Sequence, residues 1–95
     1  MSAKAIPIAK FRIGRIVSTP QALKVLSHED ILAGITRHQA GDWGEVSQAD
    51  REANDRALIH GTRLLSVYRS GKGVKFRIVT EGDRSATTVL LPEDY

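Results

Sequence analysis

The stretch RLLSVYRSGKGVKFRIVT, residues 63–80, decides the fold, because its side chains alternate between two faces in two consecutive runs. Such a period of two predicts β-strands with one buried face. The glycine-rich segment Ser70–Gly73 separates the runs and predicts a hairpin connection. In the second run the predicted core face is apolar and the opposite face carries two cations: Val74, Phe76 and Ile78 against Lys75, Arg77 and Val79.

Two further runs add strands to this hairpin. After a turn at Thr80–Asp83, the run Ala86–Leu91 predicts a third antiparallel strand. Pro92 ends that strand, because proline cannot donate to a strand ladder. Near the N-terminus, Phe11–Val17 is rich in Phe, Ile and Val and predicts a separate first strand.

Three helix-capping signals lie between the first strand and the hairpin. Thr19 precedes a proline, and Ser27 and Ser47 each precede an acidic residue three positions later. Gly41 and Gly61 are placed to end the second and third helices. The sequence therefore predicts an α+β fold with an N-terminal strand, three short helices and a three-stranded antiparallel meander, the helices lying on one face of the sheet.

Length and composition limit the class of protein. The chain has 95 residues, 41% hydrophobic and 26% charged, which suits one globular domain at residues 11–95 after a flexible basic arm at residues 1–10. The absence of cysteine excludes disulfides, thiolate nucleophiles and cysteine-ligated zinc. No apolar run approaches the ~20 residues of a membrane span. We expect a cytoplasmic protein without a cofactor, and the oligomeric state stays open.

The net charge of +3 is unevenly distributed. Residues 1–26 carry five basic residues and no acid, residues 27–60 have a net charge of −4, and residues 61–95 have one of +2. The basic segments build the predicted strands, so we expect a basic sheet that binds an acidic protein or a nucleoprotein complex, or nucleic acid directly. The competing explanation is that these cations block edge pairing. The candidate binding residues are Arg12, Arg15, Arg63, Arg69, Lys72, Lys75, Arg77 and Arg84.

A second set of residues surrounds two turns, where a structural role and a binding role are both open. The only tryptophan lies between glycines after the second helix, with a histidine just before it. Next to Arg84, an aspartate in the turn before the last strand can lock that turn by charge-assisted hydrogen bonds. The histidines lack metal-ligand spacing, so we expect no metal site and assign no catalytic residue. The residues of this set are His38, Asp42, Trp43, Asn54 and Asp83.

The order of early helices and an arginine-rich meander resembles the layout of bacterial RelE-type ribonuclease toxins. Those enzymes cleave messenger RNA with Arg, Lys and Tyr side chains in place of a metal. Basic groups of this kind stabilise the charge that develops on a phosphate during cleavage. The resemblance implies a catalytic role for Arg63, Arg69, Arg77, Arg84 and Tyr95. This is the enzymatic alternative to simple binding.

A longer likeness covers residues 11–95. The segments GDWG at 41–44, GTRLLSVY at 61–68 and IVTEGDRSATTVLLPE at 78–93 resemble a family of small plasmid-related bacterial proteins, some of which are labelled restriction-modification subunits. The chain has no room for a methyltransferase sheet and no glycine-rich cofactor loop after a strand. The resemblance implies a mobile-element setting, in which small accessory proteins block host defence complexes as anti-CRISPR or antirestriction proteins do. Our main hypothesis is a non-enzymatic binding protein of this kind.

Overall fold

A computed structural model describes residues 8–94 and has an α+β fold, which confirms the predicted class. The arm expected at residues 1–10 is described only at residues 8–10, where the Lys10 N–H donates to the Gln39 carbonyl at 2.7 Å. Residues 1–7 and Tyr95 lie outside the described residues. The elements are β1 (Arg15–Ser18), α1 (Pro20–Val25), α2 (His28–Gln39), α3 (Gln48–His60), β2 (Leu64–Arg69), β3 (Lys75–Thr80), β4 (Ala86–Leu90) and a short 3-10 turn (Pro92–Asp94).

The four strands form one mixed sheet in the order β1-β4-β3-β2. β2, β3 and β4 are antiparallel neighbours, whereas β1 pairs in parallel with β4. The prediction of a three-stranded antiparallel meander was wrong about the number of strands in the sheet, because β1 adds a fourth strand at the edge opposite β2. A parallel pair requires a long crossover connection. Here that connection comprises three helices and two strands, so no local pattern near β1 indicates its neighbour.

The first strand begins at Arg15, so the prediction of a strand over Phe11–Val17 was wrong at its start. Gly14 has a φ of +60°, a left-handed conformation that interrupts an extended run. A Cβ atom at Gly14 would lie 2.4 Å from the Arg84 carbonyl oxygen, so only glycine fits there. Phe11, before this turn, stacks on the Trp43 ring at 6.2 Å between centroids and contacts the His38 ring edge-on at 5.1 Å.

The predicted helix boundaries are confirmed to within one or two residues. Thr19, Ser27 and Ser47 each accept a hydrogen bond from a first-turn backbone N–H, and Asp30 completes a capping box with Ser27. Gly61 ends α3 in the left-handed conformation, with a φ of +70°. The side chains of Thr19, Ser27 and Ser47 thus satisfy backbone N–H groups that have no partner within the first turn of a helix.

The main core lies between the sheet and the first two helices. α1 packs on β4 and α2 on β3, so both cover the same face. Gly34 allows α2 to approach closely, because a Cβ atom there would lie 2.9 Å from the Ile78 Cδ1 atom. The core consists of apolar side chains from both layers: Ala22, Leu26, Ile35, Tyr68, Phe76, Ile78, Val89 and Leu91. A smaller cluster contains Trp43, Ala57 and Leu64.

α3 runs beside the outer edge of β2, so the expected one-sided helical layer holds for α1 and α2 only. The Asn54 side-chain amide donates to the Leu65 carbonyl at 2.7 Å, and its oxygen accepts from the Leu65 N–H at 3.0 Å. Two residues further on, the Val67 N–H and carbonyl pair with the Trp43 carbonyl and the Glu45 N–H. The outer edge of β2 is therefore closed by a side chain and by a short parallel bridge.

We predict that Asn54→Ala lowers the free energy of unfolding by about 2 to 3 kcal/mol, because it leaves two Leu65 backbone groups without partners beside a buried position. Urea unfolding followed by circular dichroism measures the change. Glu52→Ala, at an exposed position on the same helix, is the control and should change stability by less than about 0.5 kcal/mol. Equal effects of the two substitutions would contradict the edge-closing role of Asn54.

Candidate functional site

The candidate site is the sheet face opposite α1 and α2, which we call the open face. Ser66 and Thr80 point toward His38 of α2, and paired residues on neighbouring strands point to the same side. The alternate positions therefore point away from these two helices. They are Arg15, Val17, Leu65, Val67, Arg69, Lys75, Arg77, Val79, Ala86, Thr88 and Leu90.

Four of the eight predicted binding residues share this face, namely Arg15, Arg69, Lys75 and Arg77. The strand residues of the open face include no acid. Arg69 is paired with Glu45 at 3.0 Å, and both side chains are about half exposed, at 52% and 49%, so the pair adds little to stability. Lys75 is exposed and Arg77 half-buried, both on β3.

Two shallow cavities extend the open face toward its margins. One of about 420 Å³ lies between α3 and the sheet, and Arg63 and Arg77 line it together with Asp50 and Leu65. A second, of about 220 Å³, is lined by Arg63, by apolar groups of β3 and β4, and by Glu81 and Asp94. Arg63 thus lines both cavities, next to the open face. The sequence did not indicate that acidic residues line these cavities, because Asp50, Glu81 and Asp94 belong to three separate segments.

The aromatic side chains of residues 8–94 lie away from the open face. Tyr68 and Phe76 point to the α1–α2 side, with ring centroids 5.8 Å apart. Trp43 packs with Ala57 and Leu64, and Phe11 packs on Trp43. The open face therefore combines cations with aliphatic side chains and lacks a stacking surface in the described residues.

Arg84 and Asp83 serve the turn between β3 and β4. Arg84 has a φ of +62°, and its guanidinium donates to the carbonyls of Thr62 at 2.6 Å and Ala57 at 3.0 Å. The same group lies 5.6 Å from the centre of the Phe11 ring. Asp83 accepts from the Ser85 N–H at 3.0 Å, and hydrogen bonds from the Ser85 side chain and backbone lower the pKa of its carboxyl group. These contacts support the turn-locking interpretation for both residues.

The remaining predicted residues occupy separate places. Arg12 is exposed ahead of β1, and Lys72 is exposed in the β2–β3 hairpin turn. Asp42 binds the Arg37 guanidinium at 2.7 Å, and this contact lowers the pKa of the Asp42 carboxyl group. His38 and Trp43 are in ring contact at 5.8 Å, but Asn54 binds the β2 edge instead of joining them. His38, Asp42, Trp43 and Asn54 therefore do not form one common site.

His38 is fully buried in a chain of hydrogen bonds that sequence reasoning missed. Its Nδ1 atom lies 2.5 Å from the Ser66 hydroxyl, and its Nε2 atom lies 2.8 Å from the Thr80 hydroxyl. Thr80 contacts the Thr87 hydroxyl at 2.8 Å, and Thr87 donates to the Ile13 carbonyl at 2.7 Å. The signal in the sequence is a set of three hydroxyl residues at core-facing positions of β2, β3 and β4, namely Ser66, Thr80 and Thr87.

The directions of these hydrogen bonds follow from the last acceptor. The Ile13 carbonyl can only accept, so Thr87 donates to it and accepts from Thr80. Thr80 then accepts from the Nε2–H of His38. Burial, with a smaller contribution from the Arg84 cation, lowers the pKa of His38 to about 4. The ring is therefore neutral near pH 7, and its Nδ1 atom accepts from the Ser66 hydroxyl.

Within residues 8–94, no group of three or more His, Asp or Glu side chains is arranged to hold a metal ion. The described helices also include none with the length and apolar content that a membrane span requires. Comparison of the chain with protein-family models, with curated proteins and with solved structures found no match.

We predict that Arg84→Ala lowers the free energy of unfolding by about 2 kcal/mol, because the carbonyls of Ala57 and Thr62 lose their guanidinium partner. Chemical unfolding measures the effect. Arg56→Ala, at an exposed position of α3, is the control and should stay within about 0.5 kcal/mol of the wild type. An unchanged stability of Arg84→Ala would remove the structural role and reopen a binding role for this residue.

We predict that stability falls as the pH drops from about 6.5 to about 4. The unfolded chain takes up a proton on His38 below its ordinary pKa of 6.5, whereas the folded chain does so only near 4. One pKa unit corresponds to about 1.4 kcal/mol, so the loss across this window reaches about 3 kcal/mol. Urea unfolding at a series of pH values measures it.

The control for this pH dependence is His60→Gln, which changes an exposed histidine and leaves the network intact. This variant should keep the wild-type pH profile, whereas His38→Gln should flatten the profile between pH 4 and 6.5. If His38→Gln does not fold, the NMR titration of the His38 ring in the wild type decides the point. A ring that titrates near pH 6.5 would contradict the neutral, buried histidine.

Proposed function

We propose that the protein is a non-enzymatic binding protein whose open face engages an acidic surface of a partner protein. The observation that carries this proposal is the position of Lys75 and Arg77 on β3, which lies in the interior of the sheet between β4 and β2. Cations that block edge pairing lie on edge strands. Edge protection therefore does not account for these two residues, and their place on the open face supports binding of opposite charge.

The other side chains of the open face support a protein partner. Leu65 and Val67, both partly exposed, give it aliphatic side chains beside the cations, whereas Val79 and Leu90 are buried. Protein interfaces combine apolar contacts with polar and charged groups. Proteins that bind single-stranded nucleic acid stack the bases on aromatic rings. The aromatic rings of residues 8–94 are instead packed on the other side of the sheet or beside α3.

The likeness to small plasmid-related proteins supports a narrower proposal. In a mobile-element setting, the protein would inhibit a host defence complex, in the manner of anti-CRISPR or antirestriction proteins. Such inhibition requires only that a surface of the complex be covered, so it needs no catalytic group. A defence complex that carries nucleic acid also presents negative charge, which suits the cations of the open face.

The second candidate function is a RelE-like ribonuclease. It is favoured by one observation, the presence of Arg63 and Arg77 along the same cavity, where two guanidinium groups can hold a phosphate. Of the other candidates, Arg84 donates to backbone carbonyls and Arg69 pairs with Glu45. Tyr95 lies outside the described residues. Of the five residues to which the resemblance assigns a catalytic role, two, Arg63 and Arg77, line this cavity.

We predict that the double variant Lys75→Glu and Arg77→Glu weakens partner binding by about tenfold or more, because reversed charges repel an acidic surface. A pull-down from the native bacterial host with mass spectrometry identifies partners, and titration with the purified partner measures the affinity. The matched control is Arg51→Glu with Arg56→Glu, two exposed cations of α3. Equal binding by the wild type and the open-face variant would contradict the proposal.

Two further measurements separate the candidate functions. A mobility-shift assay with a single-stranded RNA oligonucleotide should show weaker binding than the protein partner at the same salt concentration. Induced expression of the wild type should leave bacterial growth unchanged. Growth arrest that is relieved by substituting Arg63 and Arg77 with alanine would instead favour the ribonuclease.

A further inference from the structure

The outer edge of β1 presents backbone groups that no other part of residues 8–94 pairs with. The N–H groups of Arg15 and Thr19 donate toward β4, to the carbonyls of Ser85 and Val89, both at 3.0 Å. Hydrogen bonds to one neighbour come from alternate residues of a strand. The N–H and carbonyl groups of Ile16 and Ser18 therefore point away from the sheet, toward the surface.

The two edges of the sheet differ in this respect. At β2 the backbone groups of Leu65 are held by Asn54, and those of Val67 by the segment around Gly44. No such cover lies on β1 in the described part of the chain. A strand edge with unpaired backbone groups is a template for an added strand.

Apolar side chains flank this edge on both faces of the sheet. Ile16 is 48% exposed on the α1–α2 side, and Val17 is 37% exposed on the open face. Leu23 of α1, which packs on the neighbouring β4, is 56% exposed. A strand added along β1 would cover Ile16 and Val17, so the edge offers apolar contacts as well as hydrogen bonds.

The charge around the edge selects the occupant. Arg12 and Arg15 lie just before and at the start of β1, while after its other end the Asp94 carboxylate accepts from the Thr19 hydroxyl at 2.6 Å. A second copy of the chain would bring the same positive charge to the contact, and like charges repel. An added strand with carboxylate side chains would meet charges of opposite sign.

We propose that the outer edge of β1 binds an extended acidic segment of another protein by β-strand addition. The hydrogen bonds come from Ile16 and Ser18, the apolar contacts from Ile16 and Val17, and the charge preference from Arg12 and Arg15. This site is distinct from the interior cations of the open face. The proposal does not depend on the proposed function, since it concerns the backbone of β1 and not Lys75 or Arg77.

The probe is a synthetic peptide of alternating glutamate and valine, blocked at both ends. We expect it to bind and to slow hydrogen exchange at the amides of Ile16 and Ser18 by about tenfold or more, while the amides of β2 are unchanged. A peptide of alternating lysine and valine should bind about tenfold more weakly or worse. An acidic peptide methylated on alternate backbone nitrogens should also lose binding.

Two variants locate the peptide. Ile16→Pro removes an outward N–H and should weaken binding by about tenfold, and the double variant Lys75→Glu with Arg77→Glu should bind nearly as well as the wild type. If Ile16→Pro does not fold, Ile16→Glu tests the same edge, because its carboxylate repels the peptide. NMR spectra of each variant establish that the fold is retained.

Three outcomes would overturn the proposal. Unchanged exchange at Ile16 and Ser18 in the bound state excludes strand addition at this edge. Binding lost in the Lys75→Glu and Arg77→Glu variant but kept in Ile16→Pro places the peptide on the open face, which leaves the proposed function intact. Protection at Ile16 and Ser18 that rises with protein concentration alone assigns the edge to a second copy of the chain.

Discussion

The buried hydrogen-bond chain through His38 is the interaction on which the arrangement of the sheet depends. It joins the Ser66 hydroxyl of β2, the His38 ring of α2, the Thr80 and Thr87 hydroxyls of β3 and β4, and the Ile13 carbonyl before β1. Polar groups without partners are costly inside a protein, so each member requires the others in place. One network thus fixes α2 and three strands relative to the segment that leads into β1.

The same network specifies which face of the sheet meets water. Because strand side chains alternate, a register shift of one residue would turn Thr80 out of the chain and bring Arg77 toward the apolar core. Such a shift would leave the Nε2–H of His38 without its acceptor and bury a guanidinium. The polar residues inside and the cations outside therefore select one register, and the open face is a consequence of that selection.

Local patterns predicted the elements well and the long-range contacts poorly. The period of two around the hairpin and the serine caps are short-range signals, and they located β2, β3, α2 and α3. The place of β1 depends on its contact with β4, some seventy positions later in the chain. The expected strand is cut short by the left-handed conformation of Gly14, where a side chain would clash with the distant Arg84 carbonyl. Asn54 in the middle of a helix was visible as a residue of low helix propensity, but its partner on β2 was not. Half of the predicted basic residues met on one face, because those four lie on strands whose alternation could be followed.

The interior position of Lys75 and Arg77 constrains what can cover the open face. A purely apolar partner would remove water from both cations and supply no charge in return, which costs several kcal/mol per ion. A partner must therefore bring carboxylates or phosphates to these positions. The partly exposed aliphatic side chains beside the cations, Leu65 and Val67, gain from contact with apolar surface but offer nothing for bases to stack on. Carboxylates on a partly apolar protein surface satisfy both requirements, whereas a single-stranded nucleic acid satisfies only the first.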